Sequence, residues 1–254
     1  HYPKTRAVAM AITRQEAWID RDADRDTTVD ANVTVPAFVR EIVEEVAFQA
    51  RADQKVDRRS GVSQRLPITC LETVVSNAER RALLADDEPA VARVTDIYAA
   101  LPSITGKFEL EYEGELHGAD NVARELIRSA VGSVFGGWFD GVEMHQVVEW
   151  FEMGGSLQVT DTTPAAELLG QTDQIQGLDA AAARAGAQPT DPPAVRAAAF
   201  DFVLEGLYAQ KKISRTDEWQ YRAIEQPRRT VRATEQFFDP SLPRSGSSKK
   251  KYYN

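Results

Sequence analysis

The sequence contains little cysteine and histidine, with one Cys and three His among 254 residues. A single thiol excludes an intramolecular disulfide, and Cys70 lies in an apolar helical pattern, which is typical of a buried residue in a reducing cytoplasm. The histidines at 1, 117 and 145 are too scattered for a metal motif, and no HExxH or cysteine cluster occurs. We therefore expect no metal site in this chain and a cytoplasmic location.

The sequence also lacks a long hydrophobic run and a complete phosphate loop. No apolar stretch approaches the ~18 residues of a membrane span, and no signal peptide is visible. The letters TGKF at 105–108 resemble the end of a phosphate loop, but Leu101 replaces the required earlier glycine and Phe108 replaces the required Ser or Thr. Taken alone, this chain is predicted not to cross a membrane, not to hydrolyse ATP and not to need a cofactor.

Positive charge is scarce except near the C-terminal end. The formal net charge is −9, yet residues 205–254 hold eleven Lys and Arg against six Asp and Glu. An acidic body argues against a nucleic-acid partner and against a helix-turn-helix regulator, because phosphate binding needs clustered basic residues. The run Lys249–Lys251 follows a Ser/Gly stretch, so residues 241–254 are predicted to be a basic, disordered tail.

Helical periodicity dominates what is present. Four amphipathic helices are predicted over 3–21, from Pro36 to about 50, from about Ser63 to 82 and over 94–101. Short links join them, which favours a small helical bundle at 1–105. The abrupt start of the first helix suggests a piece of a longer protein.

Residues 106–240 are predicted to form a second helical domain. Alternating residues at 104–118 and the stretch 156–160 are the only β-like segments, so the fold class is mainly α with at most a small β element. Helices are expected from Asp120 to a break at Gly136-Gly137, over 144–153, over 164–176 and from Pro192-Pro193 onward. The Ala- and Gly-rich segment 177–191 is predicted to be a surface excursion.

One residue is unusual for its position. In DRRSGVSQRLPITCLETVVSNAERRAL (57–83), Ser63 is predicted to cap a helix, which places Arg65 where the helix dipole disfavours a cation. The same position becomes favourable for a guanidinium when a phosphate binds beside it. Two interpretations follow from the residues alone: a solvated arginine in a capped turn, or a phosphate contact.

Several stretches resemble one known family. HYPKTRAVAMAITRQEAW, VPAFVREIVEEVAFQAR, the segment 57–83 and ARVTDIYAALPSITGKFELEYEGE resemble the region that follows the ATPase core in magnesium-chelatase-type AAA+ ATPases, relatives of the MoxR-type ATPases. The resemblance covers residues 1 to about 115 and continues through LIRSAVGSVFGGWF and FDFVLEGLYAQKKIS. The Walker A and Walker B motifs of that family are absent from this chain.

The resemblance implies a fold and a role. Residues 1–105 would be the AAA+ helical lid and 106–240 an accessory domain. Arg65 would be sensor 2, the lid arginine that reaches the nucleotide phosphates; Gly61 and Ser63 would shape the turn before it, and Arg59 would be an adjacent contact. In the full-length protein the implied cofactors are ATP and Mg²⁺. The implied partners are the missing ATPase core, further copies in a homo-oligomeric ring and a partner protein subunit.

A second hypothesis stays open. The chain could be a non-enzymatic helical module that binds a protein partner through 116–254, with the lid-like bundle as a scaffold. The coding sequence upstream of His1 separates the two hypotheses, because an ATPase needs a Walker A loop there.

Overall fold

The computed structural model describes residues 2–19 and 33–224, which form helices and one small antiparallel sheet. The prediction of a mainly α fold with a small β element is therefore confirmed. The predicted tail at 241–254 and residues 225–240 of the predicted second domain lie outside the described residues.

Eleven helices and three short strands occur in the part of the chain that the structure describes. The helices are α1 (Arg6–Glu16), α2 (Ala37–Ala52), α3 (Arg65–Ala85), α4 (Val94–Ala99), α5 (Leu101–Thr105), α6 (Tyr112–His117), α7 (Ala119–Trp138), α8 (His145–Glu152), α9 (Ala165–Thr172), α10 (Leu178–Arg184) and α11 (Pro193–Ala209). The strands are β1 (Leu157–Gln158), β2 (Ser214–Arg215) and β3 (Gln220–Arg222). No helix within 2–19 and 33–224 is long and apolar enough to cross a membrane.

Helices α2 and α3 form where the periodicity predicts them, whereas α1 ends at Glu16 and residues 17–19 of the predicted first helix are not helical. Pro36 precedes α2, where its fixed φ suits a helix start, and Pro67 lies in the first turn of α3, where its missing N–H costs no helical bond. Cys70 is fully buried on the apolar face of α3. Burial raises the pKa of its thiol to about 12, so the side chain acts as a small hydrophobic residue.

A single core joins the two parts that the sequence divides at 105/106. The described residues, 2–19 and 33–224, belong to one compact unit, in which α2 packs along α7 and α7 packs on α11. The ring of Phe38 from α2 stacks on Phe202 from α11 at 4.4 Å and meets Trp138 from α7 edge-on at 6.2 Å. Because aromatic side chains from both sides fill the same interior, the predicted boundary does not separate two compact units.

The close approach of α7 to α11 depends on a glycine. A Cβ on Gly206 would lie 2.0 Å from Cδ2 of Phe135, so only glycine lets the ring lie against the α11 backbone. Phe135 also meets Phe202 edge-on, at 5.6 Å. Aromatic side chains of α7 and α11 therefore fill one corner of the core, and their spacing depends on the small residue at 206.

The predicted strand-like segment at 104–118 is mostly helical. Only its middle is extended: the Asp57 N–H donates to the Glu109 carbonyl, and the Glu111 N–H donates to the Lys55 carbonyl, each at 2.9 Å. The chain then turns into α6 because Gly114 lies directly against the Lys55 carbonyl, where a Cβ would come within 2.4 Å. The alternating pattern reflected this short pairing rather than a full strand.

The sheet forms between other segments than predicted. Strand β1 pairs with β3 and β2 pairs with β3, all antiparallel, in the order β1-β3-β2. The β-like stretch at 156–160 thus finds its partner at 220–222 rather than at 104–118. Tyr221 of β3 is fully buried, which anchors the sheet to the core.

The predicted helix break at Gly136-Gly137 and the predicted surface excursion at 177–191 are also wrong. Helix α7 continues through Gly136-Gly137 to Trp138, since the helical bond from the Phe139 N–H to the Phe135 carbonyl forms at 2.9 Å and the flanking aromatic residues are held in the core. The expected surface excursion at 177–191 contains α10, whose Leu178, Ala181 and Ala182 are buried. Tertiary packing outweighs the weak local helix preference at both places.

Candidate functional site

The turn that leads into α3 contains the residues that the sequence singles out. Gly61 has φ +74°, a left-handed conformation that favours glycine, and its N–H donates to the Asp57 carbonyl at 3.2 Å. The Ser63 hydroxyl accepts the Arg65 N–H at 3.3 Å, but the helix begins at Arg65 and its N-cap is Gln64, whose side chain makes no capping bond. The prediction of Ser63 as the N-cap is therefore wrong by one residue.

Arg51, at the end of α2, holds this turn from behind. Its Nε donates to the Val62 carbonyl at 3.0 Å, and its Nη2 donates to Oε1 of Gln64 at 3.3 Å. The guanidinium also lies 4.5 Å from the centre of the Tyr2 ring. A guanidinium with two hydrogen bonds and contacts to the rings of Tyr2 and Phe48 has little freedom, so the turn has a fixed relation to α2.

Gln64 connects the turn to α1 and α2. Its Nε2 donates to Oε2 of Glu44 at 3.0 Å and to Oγ1 of Thr13 at 3.2 Å. Burial raises the pKa of Glu44, against the opposing effect of its hydrogen bonds to Thr13 and Gln64. The residue immediately before Arg65 is therefore fixed by polar contacts inside the protein.

Arg65 itself points away from this framework. Its side chain is exposed, and within residues 2–19 and 33–224 it forms no ion pair or side-chain hydrogen bond. The backbone donors beside it are occupied: the Leu66 N–H binds the Ser63 carbonyl at 3.1 Å, and Pro67 has no N–H. Any contact with an anion at this helix start must therefore come from the guanidinium of Arg65, with support from the helix dipole.

Arg59 lies on the far side of the same turn and is engaged differently. Its N–H donates to Oδ1 of Asp57 at 2.7 Å, and its Nε lies 3.4 Å from the same oxygen. The backbone bond from Arg59 lowers the pKa of Asp57, so this carboxylate is charged. The turn therefore joins Arg59, Gly61, Ser63 and Arg65 in one short segment, but Asp57 already partly neutralises Arg59.

Sequence reasoning missed Arg51 and Gln64, the two residues that position the turn. Arg51 reads as an ordinary basic residue near a helix C-terminus, where the dipole favours a cation. Gln64 reads as a polar residue beside a helix start. No signal in the sequence marks either one, because their partners come from α1, α2 and the turn at once.

A second group of charged side chains is fully buried. Asp96 pairs with Arg81, accepts the Arg93 N–H at 2.7 Å and accepts Nδ2 of Asn77 at 2.6 Å. Burial raises the pKa of Asp96 against the pull of Arg81. Nη2 of Arg93 lies 3.5 Å from Oδ2 of Asp87, and Nη1 of Arg93 donates to the Thr163 carbonyl at 2.6 Å.

The buried charges continue into α11. Glu205 accepts from Arg215 and from the Tyr221 hydroxyl, while Oδ2 of Asp201 accepts the Thr95 N–H at 2.9 Å. Burial, followed by the charge of Glu205, raises the pKa of Asp201 to about 7. Arginines 81, 93 and 215 each have a carboxylate partner inside the protein, so we interpret this buried charge cluster as part of the framework rather than as a ligand site.

Comparisons with known proteins found nothing similar. No family model matches the chain, and neither the curated proteins nor the solved structures include a significant match. The resemblance to magnesium-chelatase-type ATPases therefore stays a prediction based on the quoted stretches, and the function has to be argued from the turn before α3.

Proposed function

We propose that this chain is the C-terminal lid and accessory region of a magnesium-chelatase-type AAA+ ATPase, in which Arg65 acts as sensor 2. One observation carries the proposal: Arg65 is an exposed arginine, unpaired within the described residues, at the first position of a 21-residue helix on a turn that buried contacts hold fixed. A guanidinium held in this way can reach a phosphate that another part of the protein presents.

The physical role of Arg65 follows from its surroundings. An unpaired guanidinium breaks no internal ion pair when it binds a phosphate. The charge-assisted hydrogen bonds therefore contribute fully to the free energy of binding. Charge that develops on a transferring phosphoryl group strengthens the same contact in the transition state. Arg59, Gly61 and Ser63 shape or border the turn, and we assign the direct phosphate contact to Arg65.

ATP and Mg²⁺ belong to this proposal as cofactors of the longer protein. Among residues 2–19 and 33–224, no group of three or more His, Cys, Asp or Glu side chains is arranged to hold a metal ion. We therefore assign no step to the metal here. The proposal further includes a cytoplasmic location, a homo-oligomeric ring and a partner protein that ATP hydrolysis remodels.

The direct test uses the protein encoded by the complete reading frame that contains these residues. Arg65→Ala is expected to lower the steady-state rate of ATP hydrolysis by about tenfold or more, because one donor to the transferring phosphoryl group is lost. Arg65→Lys should restore only part of the rate, since an ammonium lacks the planar fork of a guanidinium.

Arg14→Ala is the matched control, because Arg14 is an exposed arginine on α1 outside the turn. Its ATP turnover should equal that of the unchanged protein. Equal turnover in the Arg65 and Arg14 variants would refute the assignment of sensor 2. A reading frame without a Walker A loop upstream of His1 would refute the ATPase proposal as a whole.

A second function, binding of a protein partner without enzymatic activity, is favoured by an apolar patch on α6. Tyr112 and Leu116 are one helical turn apart, and their exposed fractions are 75% and 72%. Exposed apolar residues of this size mark contact surfaces when they lie together. A reading frame that lacks the ATPase motifs would favour binding of a protein partner over the ATPase function.

A further inference from the structure

A polar pocket of about 570 Å³ lies where the start of α7 faces the end of α11 and the β2–β3 turn. Its size falls within the range of pockets that hold small molecules, roughly 300–1,000 Å³. Five charged side chains and one histidine line it: Arg124, Glu125, Arg128, Arg215, Asp217 and His117. We call it the α7 pocket.

Two of these charges are already neutralised by internal partners. Glu125 accepts a hydrogen bond from Nζ of Lys55 at 2.8 Å, and this contact lowers the pKa of Glu125. Arg215 pairs with the buried carboxylate of Glu205. Its guanidinium also lies 4.0 Å from the centre of the Trp219 ring, so it is a fixed part of the pocket wall.

Arg124 and Arg128 remain without a carboxylate partner. Neither forms an ion pair or a side-chain hydrogen bond within the described residues. Arg128 lies 5.9 Å from the centre of the Tyr208 ring, and its charge contributes to the lowered pKa of Glu125. They are four residues apart on α7 and therefore project from the same helix face. Like charges at this spacing repel each other, and a bound anion would remove that repulsion.

We propose that the α7 pocket binds a small organic phosphate, with Arg124 and Arg128 as the phosphate ligands. Two guanidinium groups on one helix face can each donate a fork of N–H groups to phosphate oxygens. The pocket is larger than a phosphate group, and the rings of Tyr98, Tyr208 and Trp219 line the remaining space. A ligand with an organic part beside its phosphate matches both features. This site shares no residue with the turn before α3 and does not depend on the function proposed for Arg65.

Isothermal titration of the 254-residue chain with pyrophosphate tests the site, with inorganic phosphate and citrate as competitors. We expect one pyrophosphate per chain, and Arg124→Gln/Arg128→Gln should weaken its affinity by about tenfold or more, since two charge-assisted contacts are lost. Circular dichroism should show that the double variant keeps its helix content, because both changed positions are solvent-accessible on α7.

Two controls separate this site from other positive charges. Lys4→Gln/Arg14→Gln removes the same charge at exposed positions, and a triple Lys249–Lys251→Gln variant removes the lysine run. Both should bind pyrophosphate with affinity close to that of the unchanged chain. No measurable binding, or equal loss in the charge-matched control, would overturn the proposal. Citrate binding as tight as pyrophosphate binding would overturn the choice of phosphate.

Discussion

Arg65, at the start of α3, and the arginines of the buried charge cluster have opposite surroundings. Arg65 is exposed and unpaired within the described residues, while Arg81, Arg93 and Arg215 are enclosed and each faces a carboxylate. A buried cation without a partner would be too costly, so each partner there is a structural necessity. An exposed cation needs no partner, and for this reason only the exposed group is free to bind a ligand.

The largest effect in this comparison should come from breaking a buried pair. Asp96→Ala removes the partner of Arg81 and the acceptor of the Arg93 N–H, so a buried charge and a buried donor are left unpaired. We expect a loss of about 3–5 kcal/mol in the free energy of unfolding, measured by urea denaturation.

Asp179→Ala provides the control for Asp96→Ala. Asp179 pairs with Arg196 at 3.0 Å, but its side chain is 60% exposed, so its removal should cost less than about 1 kcal/mol. Similar losses in the two variants would mean that burial of the Arg81–Asp96 pair has no energetic consequence.

A smaller effect should come from Asp201, whose titration makes the free energy of unfolding depend on pH. Its folded pKa, about 7, lies above the ordinary value of 3.8, so between these values the folded protein binds a proton that the unfolded chain has lost. The stabilisation from this proton is therefore largest at low pH and is lost as the pH rises to about 7. Glu205, Asp96 and Arg93 are the charged groups that act on it.

Asp201→Asn isolates this contribution. An amide can still accept the Thr95 N–H, but it does not titrate. Between pH 5 and pH 8 the unchanged protein should lose about 3 kcal/mol more stability than the variant. Denaturation curves at several pH values measure the difference, and parallel profiles for the two proteins would contradict the assigned pKa.

The smallest changes in the free energy of unfolding should come from the turn before α3, where Arg51 supports the turn and Arg65 is exposed. Arg51→Ala removes two hydrogen bonds to the turn and an aromatic contact with Tyr2, and we expect a loss of about 2 kcal/mol. Arg65→Ala should change stability by less than about 0.5 kcal/mol, since no partner within the described residues is lost. Thermal and urea unfolding check both values. A loss of 2 kcal/mol in the Arg65 variant would show that Arg65 belongs to the framework.

The sequence predicts well those elements whose pattern is local. The apolar stripe and Pro36 mark α2, and the position of Pro67 fits only the first turn of α3. The same local logic predicts the burial of Cys70 and the position of Arg65 in the first turn, but it places the cap at Ser63, one residue before the N-cap Gln64. Each of these depends on residues within a few positions of one another.

The features that the sequence does not predict depend on distant partners. The extended residues near Glu109 pair with 55–57, and β1 pairs with β3 about sixty residues later. Helix α10 forms because α11 covers it. The α7 pocket and the contacts of Arg51 likewise join side chains from several elements, and periodicity along one segment carries no information about them.

Helix α3 connects the two groups of arginines physically. Arg65 is its first residue and Arg81 lies sixteen residues further along, which at 1.5 Å per residue separates them by about 24 Å along one continuous axis. Because one helix carries both residues, the position of Arg65 relative to the buried Arg81–Asp96 pair is set by the helix itself and not by a loop.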